Sequence, residues 1–324
     1  MLLRIKLILL SIIVITIFVV DSASAYWIWT PQTKKWINPK YAPKDTPKEQ
    51  LLYAMDFYEA KEYKKALAEF KKIINYYERS EAASEAQYYM GRCYDNLGKP
   101  YPAFQAYQKV IDDYPFTQRT DEIIKRQFEI GERLDRGEKS KILGVPFKAL
   151  PEQIIEVYKK VVSNAPYSKH APRAQFRIGE IYKRIDFFEE ARDAFQKIVE
   201  DYPDSDIASE AKFQVALCAS AASGKSGYDQ SLSSQAMEEF EEFAQEHPDS
   251  EFVKKAQEER RILMEKRAAS HIETAEFYER IKKSESAALY YNKVLNEFPD
   301  SESAPKALER LEVINKMLKG KNKI

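Results

Sequence analysis

The side chains that could do chemistry in this chain are few, and they do not form a constellation. There are three histidines, His170, His247 and His271. None has a second His or a Cys at the spacing of a zinc site, so no metal is expected. Ser223-Gly224-Lys225-Ser226 echoes the end of a phosphate-binding loop. Such a loop needs a Gly five residues before Gly224, where Ala219 stands, and a strand ahead of it. The segment is therefore expected to be an insertion loop. Glu238, Glu239, Glu241 and Glu242 lie together on a helix and fit a solvated face. No Gly-x-Ser-x-Gly occurs, and no nucleophile has a base partner. The chain is expected to be non-catalytic and to need no cofactor.

What does recur is structural. Six segments carry an apolar anchor: Phe70, Tyr107, Tyr158, Phe195, Phe240 and Tyr291. Seven residues later, about two helical turns, come Tyr77, Tyr114, Ala165, Tyr202, His247 and Phe298 on the same face. Pro follows in five cases and Glu78 in the sixth, and Pro cannot continue a helix. Two residues further stand Ser80, Thr117, Ser168, Ser205, Ser250 and Ser301, each expected to N-cap the next helix. The first helix of each pair carries a small residue (Ala54, Gly91, Gly131, Gly179, Ala216, Ala275) that lets its partner come close. The second carries Ala66, Ala103, Ala191, Ala236 and Ala287 four residues before the anchor, with Ile154 as the exception. Two pairs hold insertions, including Gly137–Pro151 and Ser223–Ser234, whose composition suits surface loops. A repeat of this kind specifies an all-α fold, an α-solenoid of about six helix pairs with a C-terminal capping helix.

Charge is balanced, with 51 basic and 51 acidic residues, which argues against nucleic acid as a partner. Residues 1–25 have the layout of a secretory signal. Arg4 and Lys6 precede a run from Leu7 to Val20 that is apolar except for Ser11 and Thr16, and Ala23-Ser24-Ala25 forms the cleavage site. The run is short for a membrane span, so none is expected after cleavage before Tyr26, and the destination is the periplasm. Cys93 and Cys218 fall three units apart and are expected to be buried thiols rather than a disulfide. Residues 26–46 form a distinct Trp/Pro-rich arm holding all three tryptophans, Trp27, Trp29 and Trp36, expected to be extended or a small hairpin. Its rings could seal the first repeats or meet a partner. The solenoid is assigned to 47–317 and a disordered basic tail to 318–324.

Two stretches carry a family resemblance. Tyr89-Met90-Gly91-Arg92-Cys93-Tyr94 with Ala103, Tyr107, Val110 and Pro115, and Arg177-Ile178-Gly179-Glu180-Ile181-Tyr182 with Ala191, Phe195, Ile198 and Pro203, resemble tetratricopeptide repeats. The last quarter narrows this. After Ser250 a helix runs without Gly or Pro to about Ile281, entering Ala275-Glu276-Phe277-Tyr278-Glu279-Arg280, and a short turn leads to Ala287-Ala288-Leu289-Tyr290-Tyr291. This resembles the BamD family, periplasmic lipoproteins of the outer-membrane β-barrel assembly machine, as does Phe57–Phe70. The resemblance implies a scaffold at the inner face of the outer membrane that docks on the barrel-forming subunit and meets unfolded barrel precursors. That family begins its mature chain with a lipid-carrying Cys, and Val19–Trp27 contains none. A second reading is a soluble periplasmic adaptor of the CpoB family, coordinating cell-wall processes. In either case the partners are proteins or peptide segments. The candidate contact residues are Trp27, Trp29 and Trp36 on the arm and Tyr53, Gln87, Arg92 and Arg177 on first helices.

Overall fold

The structure is a computed structural model that describes residues 27–30, 35–38, 42–142, 145–225 and 230–321. The signal segment and its cleavage site lie outside them. The described residues hold thirteen α-helices and two two-stranded hairpins. Strands β1 (Ile28–Thr30) and β2 (Lys35–Ile37) pair antiparallel ahead of the helices. Six helix pairs follow: α1 (Pro47–Glu59) with α2 (Tyr63–Tyr76), α3 (Glu81–Asn96) with α4 (Pro100–Asp113), α5 (Thr120–Asp135) with α6 (Pro151–Asn164), α7 (Ala171–Arg184) with α8 (Phe188–Asp201), α9 (Ala208–Lys225) with α10 (Gln230–Glu246), and α11 (Val253–Arg280) with α12 (Ser284–Glu297). Helix α13 (Ala304–Lys321) closes the array. The fold is the expected all-α solenoid.

The chain divides into two compact units. One comprises residues up to Thr120 with Lys139–Phe147; the other comprises Asp121–Glu138 and everything from Lys148. In each, the anchors are the core. Phe70, Tyr107, Tyr158, Phe195, Phe240 and Tyr291 are all buried, as are the five alanines before them and Ile154. The small residue of the first helix is the seat for the anchor ring. A methyl placed on Gly91 would lie 2.5 Å from the Tyr107 ring, and on Gly131 or Gly179 it would lie 2.7 Å from Tyr158 or Phe195. Within each unit, core clusters join successive pairs. Phe176 of α7, Phe195 and Ile198 of α8 and Val215 and Cys218 of α9 form one cluster. Burying such a side chain stabilises by roughly 1.5–3 kcal/mol, so pairs that share a cluster depend on one another.

Two turn types alternate. Within five pairs the first helix ends on a residue with positive φ: Lys61, Gly98, Gly137, Asp186 and Lys282. The next N–H donates back to the carbonyl five residues earlier, as Glu62 to Phe57 (2.9 Å) and Phe187 to Tyr182 (3.0 Å), which is the Schellman closure. Between pairs, the residue seven past the anchor accepts from the backbone N–H of the Ser or Thr three residues on, at 2.9–3.1 Å in all six cases. Pro sits second in this turn, where its fixed φ fits.

Four expectations are corrected. Among the described residues, of the Ser and Thr hydroxyls in the inter-pair turns only those of Thr117 and Ser250 accept a backbone N–H at the start of the next helix, from Arg119 and Phe252 at 3.3 and 3.4 Å. Ser80 and Ser301 instead donate their hydroxyls to the carbonyls of Tyr77 and Phe298, at 2.7 and 2.8 Å. The hydroxyl thus satisfies an orphan carbonyl of the preceding helix rather than an amide of the next. The insertion after Gly137 is not a plain loop: β3 (Lys139–Ile142) pairs with β4 (Val145–Lys148). Ser223, Gly224 and Lys225 are the last turn of α9 rather than part of a loop; Ser226 lies outside the described residues. Helix α13 continues to Lys321, past the start assigned to a disordered tail at 318; residues 322–324 lie outside the described residues.

Candidate protein-binding faces

In the first unit, the first helices and the arm present aromatic surface. Trp29 and Trp36 are cross-strand partners with ring centroids 5.8 Å apart, edge to face. Trp27, Trp29 and Trp36 are 59%, 48% and 61% exposed, so these rings do not seal the repeats. Tyr53 is partly exposed on α1, edge-on to Phe57 and beneath the Lys44 ammonium at 4.2 Å. Arg92 is half-buried on α3 and donates to the Tyr88 hydroxyl at 3.1 Å. Arg119 lies over the Tyr88 ring at 4.3 Å and forms a bidentate pair with Glu85 at 2.7 and 2.8 Å.

Gln87 is not a surface residue. It is 4% exposed, and its amide donates to the Ala106 carbonyl at 2.9 Å, tying α3 to α4. The same bracket recurs. Gln50 donates to the Glu69 carbonyl (3.2 Å) and Gln175 to that of Ala194 (3.0 Å). Each glutamine stands four residues before the small residue of its helix, and each acceptor directly precedes the anchor. Gln127 holds that place in α5 and is also buried. Four glutamines at one register position were the available signal, and it points to a structural role.

His271 occupies the equivalent place in α11. It is buried, and among the described residues neither ring nitrogen has a hydrogen-bond partner. Glu297 is 3.9 Å away, beyond hydrogen-bond reach. Burial holds its pKa below the ordinary histidine value; Lys293 and Arg267 act the same way and Glu297 opposes them. His170 and His247 lie against Phe128 and Phe243, with ring centroids 5.1 and 5.4 Å apart. Among the described residues no group of His, Cys, Asp or Glu is arranged to hold a metal. Cys93 and Cys218 are free and buried, and burial pushes their thiols up to about 12 and about 11. Buried in apolar surroundings, both pack as small apolar side chains.

The second unit contains a groove of about 330 Å³ between α5, α7 and the start of α9. Phe128, Phe176 and Ile207 supply apolar walls, and Glu132, Arg173, Arg177, Glu180 and Glu210 the polar ones. Arg177 lies here, but its guanidinium is engaged by Glu180 at 2.6 Å, with Glu132 at 3.9 Å. Arg173 pairs with Asp206 at 2.9 Å. The Glu210 carboxylate makes no ion pair or hydrogen bond among the described residues. Burial raises its pKa, with Glu180 and Glu251 adding to that and Arg177 and Lys183 opposing it. The open charge of this groove is therefore acidic, not basic.

At the chain's end, Glu279 of α11 links three helices. It accepts from the Tyr291 hydroxyl of α12 at 2.8 Å and from Arg310 of α13 at 2.7 Å. Burial works to raise its pKa, yet the bonds from Arg310 and Tyr291 hold the carboxyl below its usual range. Among the described residues no helix is long and apolar enough to cross a membrane.

Comparison with known proteins sharpens this picture. Residues 85–117 and 173–205 match the tetratricopeptide repeat family model, which places the matches on the α3–α4 and α7–α8 pairs. The fold is a tetratricopeptide-type α-solenoid. Residues 214–324, from within α9 to the end of the chain, match the YfiO family model, described as an outer membrane lipoprotein. No curated protein matches the chain. Similar solved structures include the C-terminal part of a TPR repeat-containing protein from Cytophaga hutchinsonii, 17% identical, covering 82% of this chain and 88% of that one with a TM-score of 0.34. A tetratricopeptide repeat protein from Parabacteroides merdae is 14% identical, covering 83% and 98% with a TM-score of 0.32. MamA from Desulfovibrio magneticus is 17% identical, covering 65% and 99% with a TM-score of 0.29.

Proposed function

We propose that this protein is a non-catalytic scaffold of the bacterial envelope, a BamD-like component of outer-membrane β-barrel assembly. The signal segment at residues 1–25 sends it to the periplasm, where it works at the inner face of the outer membrane. The observation that carries this reading is the lipoprotein family match over residues 214–324, the stretch containing the long α11 and the Glu279 tie. The ligands are protein segments, and the α5–α7–α9 groove is one place for them. Its apolar walls suit an extended segment. Glu210, with no cation of its own, suits a Lys or Arg of that segment.

Affinity capture from detergent-solubilised envelopes tests this reading. A co-purifying outer-membrane barrel protein, with loss of membrane barrels on depletion of the scaffold, is the expected result. Recovery of soluble periplasmic partners alone would move the assignment to a CpoB-like adaptor. Glu210→Gln should weaken capture of a peptide library in favour of sequences without a basic residue. Charge reversal at Arg92 and Arg177 that left capture intact would remove those two from the contact face.

A further inference from the structure

We propose that the N-terminal Trp hairpin is a membrane-surface contact that lies in the headgroup layer of an anionic bilayer. Trp29 and Trp36 are directly opposite each other across β1 and β2, so their rings leave the ribbon on one face. Trp27 stands directly ahead of β1. The three tryptophans of the chain are thus gathered on this short ribbon and its entry, and each ring is about half exposed or more. Elsewhere the large aromatics with the repeat register are buried anchors. A three-residue, two-stranded ribbon with an open aromatic face is marginal on its own and gains order from a surface to lie on.

Three observations favour lipid over protein as that surface. The first is residue type. Tryptophan combines a large apolar ring with one N–H donor, and it is the side chain that concentrates at the boundary between hydrocarbon and water. The second is that the ribbon is also open on the side away from the tryptophans. Ile28 points opposite to the tryptophans and is 42% exposed. A protein groove would cover one face, whereas a headgroup layer surrounds both. The third is charge. The chain as a whole is neutral, yet residues 26–46 contain Lys34, Lys35, Lys40 and Lys44 against Asp45 alone. A basic segment beside an interfacial aromatic face complements anionic headgroups, and each such charge near the surface strengthens binding about fivefold.

The root of the segment is fixed to the first unit. The Lys44 backbone N–H donates to the Gln50 side chain at 2.8 Å, and the Tyr77 hydroxyl donates to the Lys44 carbonyl at 2.5 Å.

The position of the tryptophans makes the test direct. All three lie between residues 27 and 36, so intrinsic tryptophan fluorescence of the whole protein reports on the hairpin alone. The exported chain, its amino terminus first established by mass spectrometry, is titrated with vesicles of phosphatidylglycerol in phosphatidylcholine and with vesicles of phosphatidylcholine only. The proposal expects a blue shift and co-sedimentation with the anionic vesicles, abolished in Trp29→Ser/Trp36→Ser and weakened about fivefold by neutralising Lys35 in Lys35→Gln. Circular dichroism establishes that the variants keep their helices, since the hairpin lies outside the repeat core. Emission that stays unshifted with anionic vesicles would overturn it. So would a blue shift seen only with a captured protein partner, which would make the hairpin a protein-docking element.

Discussion

Gly91 and Gly179 show how one missing methyl sets the spacing of a helix pair. The rings of Tyr107 and Phe195 occupy the space a Cβ would take. Both rings are fully buried and cannot swing aside. Gly91→Ala or Gly179→Ala gains about 1 kcal/mol of helix propensity but overpacks the seat, at a cost of about 1–3 kcal/mol. A net loss of stability in urea denaturation is expected, and a gain would contradict the seat. His271 gives the complementary case. The repeat places a glutamine here, bracketing to the carbonyl before the anchor, which in this pair belongs to Tyr290. His271→Gln should restore the bracket and add about 1 kcal/mol. The native histidine also sets a pH dependence. Its folded pKa is depressed, so the unfolded chain binds the proton first as pH falls. Stability should decline as pH drops below about 6.5 towards the folded value, and the decline should shrink in His271→Gln. Identical acid limbs for the two proteins would refute this.

At the scale of elements, the turns within pairs carry a correctable cost. Asp186 and Lys282 adopt the left-handed conformation that glycine holds at Gly98 and Gly137. Replacing either by Gly should stabilise by roughly 0.5–1 kcal/mol, measured as a raised midpoint with unchanged slope. Glu279 predicts the opposite sign. Glu279→Ala strands the Tyr291 hydroxyl and Arg310 together, and α13 should then exchange its amides faster than α12, with a loss of about 1–2 kcal/mol. The elements differ in how well the chain announces them. Anchors with Pro seven to eight residues later repeat on a helical period, so the pairs and the long α11 were legible. The β3–β4 insertion was not, because strands of four residues rich in Lys and Pro carry the composition of a loop. The left-handed turns were hidden by Lys and Asp standing where Gly would have marked them. Gln87 departs from expectation because a polar residue on a first helix suggests surface, although its register matches three other glutamines.

At the scale of the molecule, the chain repeats one helix pair, and its core clusters join successive pairs within each unit. Among the described residues, its open groups sit on exposed faces and in the α5–α7–α9 groove. The contact face was only partly legible. Trp27, Trp29 and Trp36 could be picked out by composition, and they are exposed. Arg177 was picked by its helix, yet its charge is taken by Glu180, and the open carboxylate of Glu210 emerges only when α5, α7 and α9 are packed together. The central claim is that this groove holds segments of other envelope proteins during outer-membrane barrel assembly. Site-specific photo-cross-linking from position 210 in living cells tests it most directly. The account predicts adducts with outer-membrane barrel proteins or their unfolded precursors, diminished when barrel synthesis is blocked. Adducts confined to soluble cell-wall factors, unchanged by that block, would contradict it.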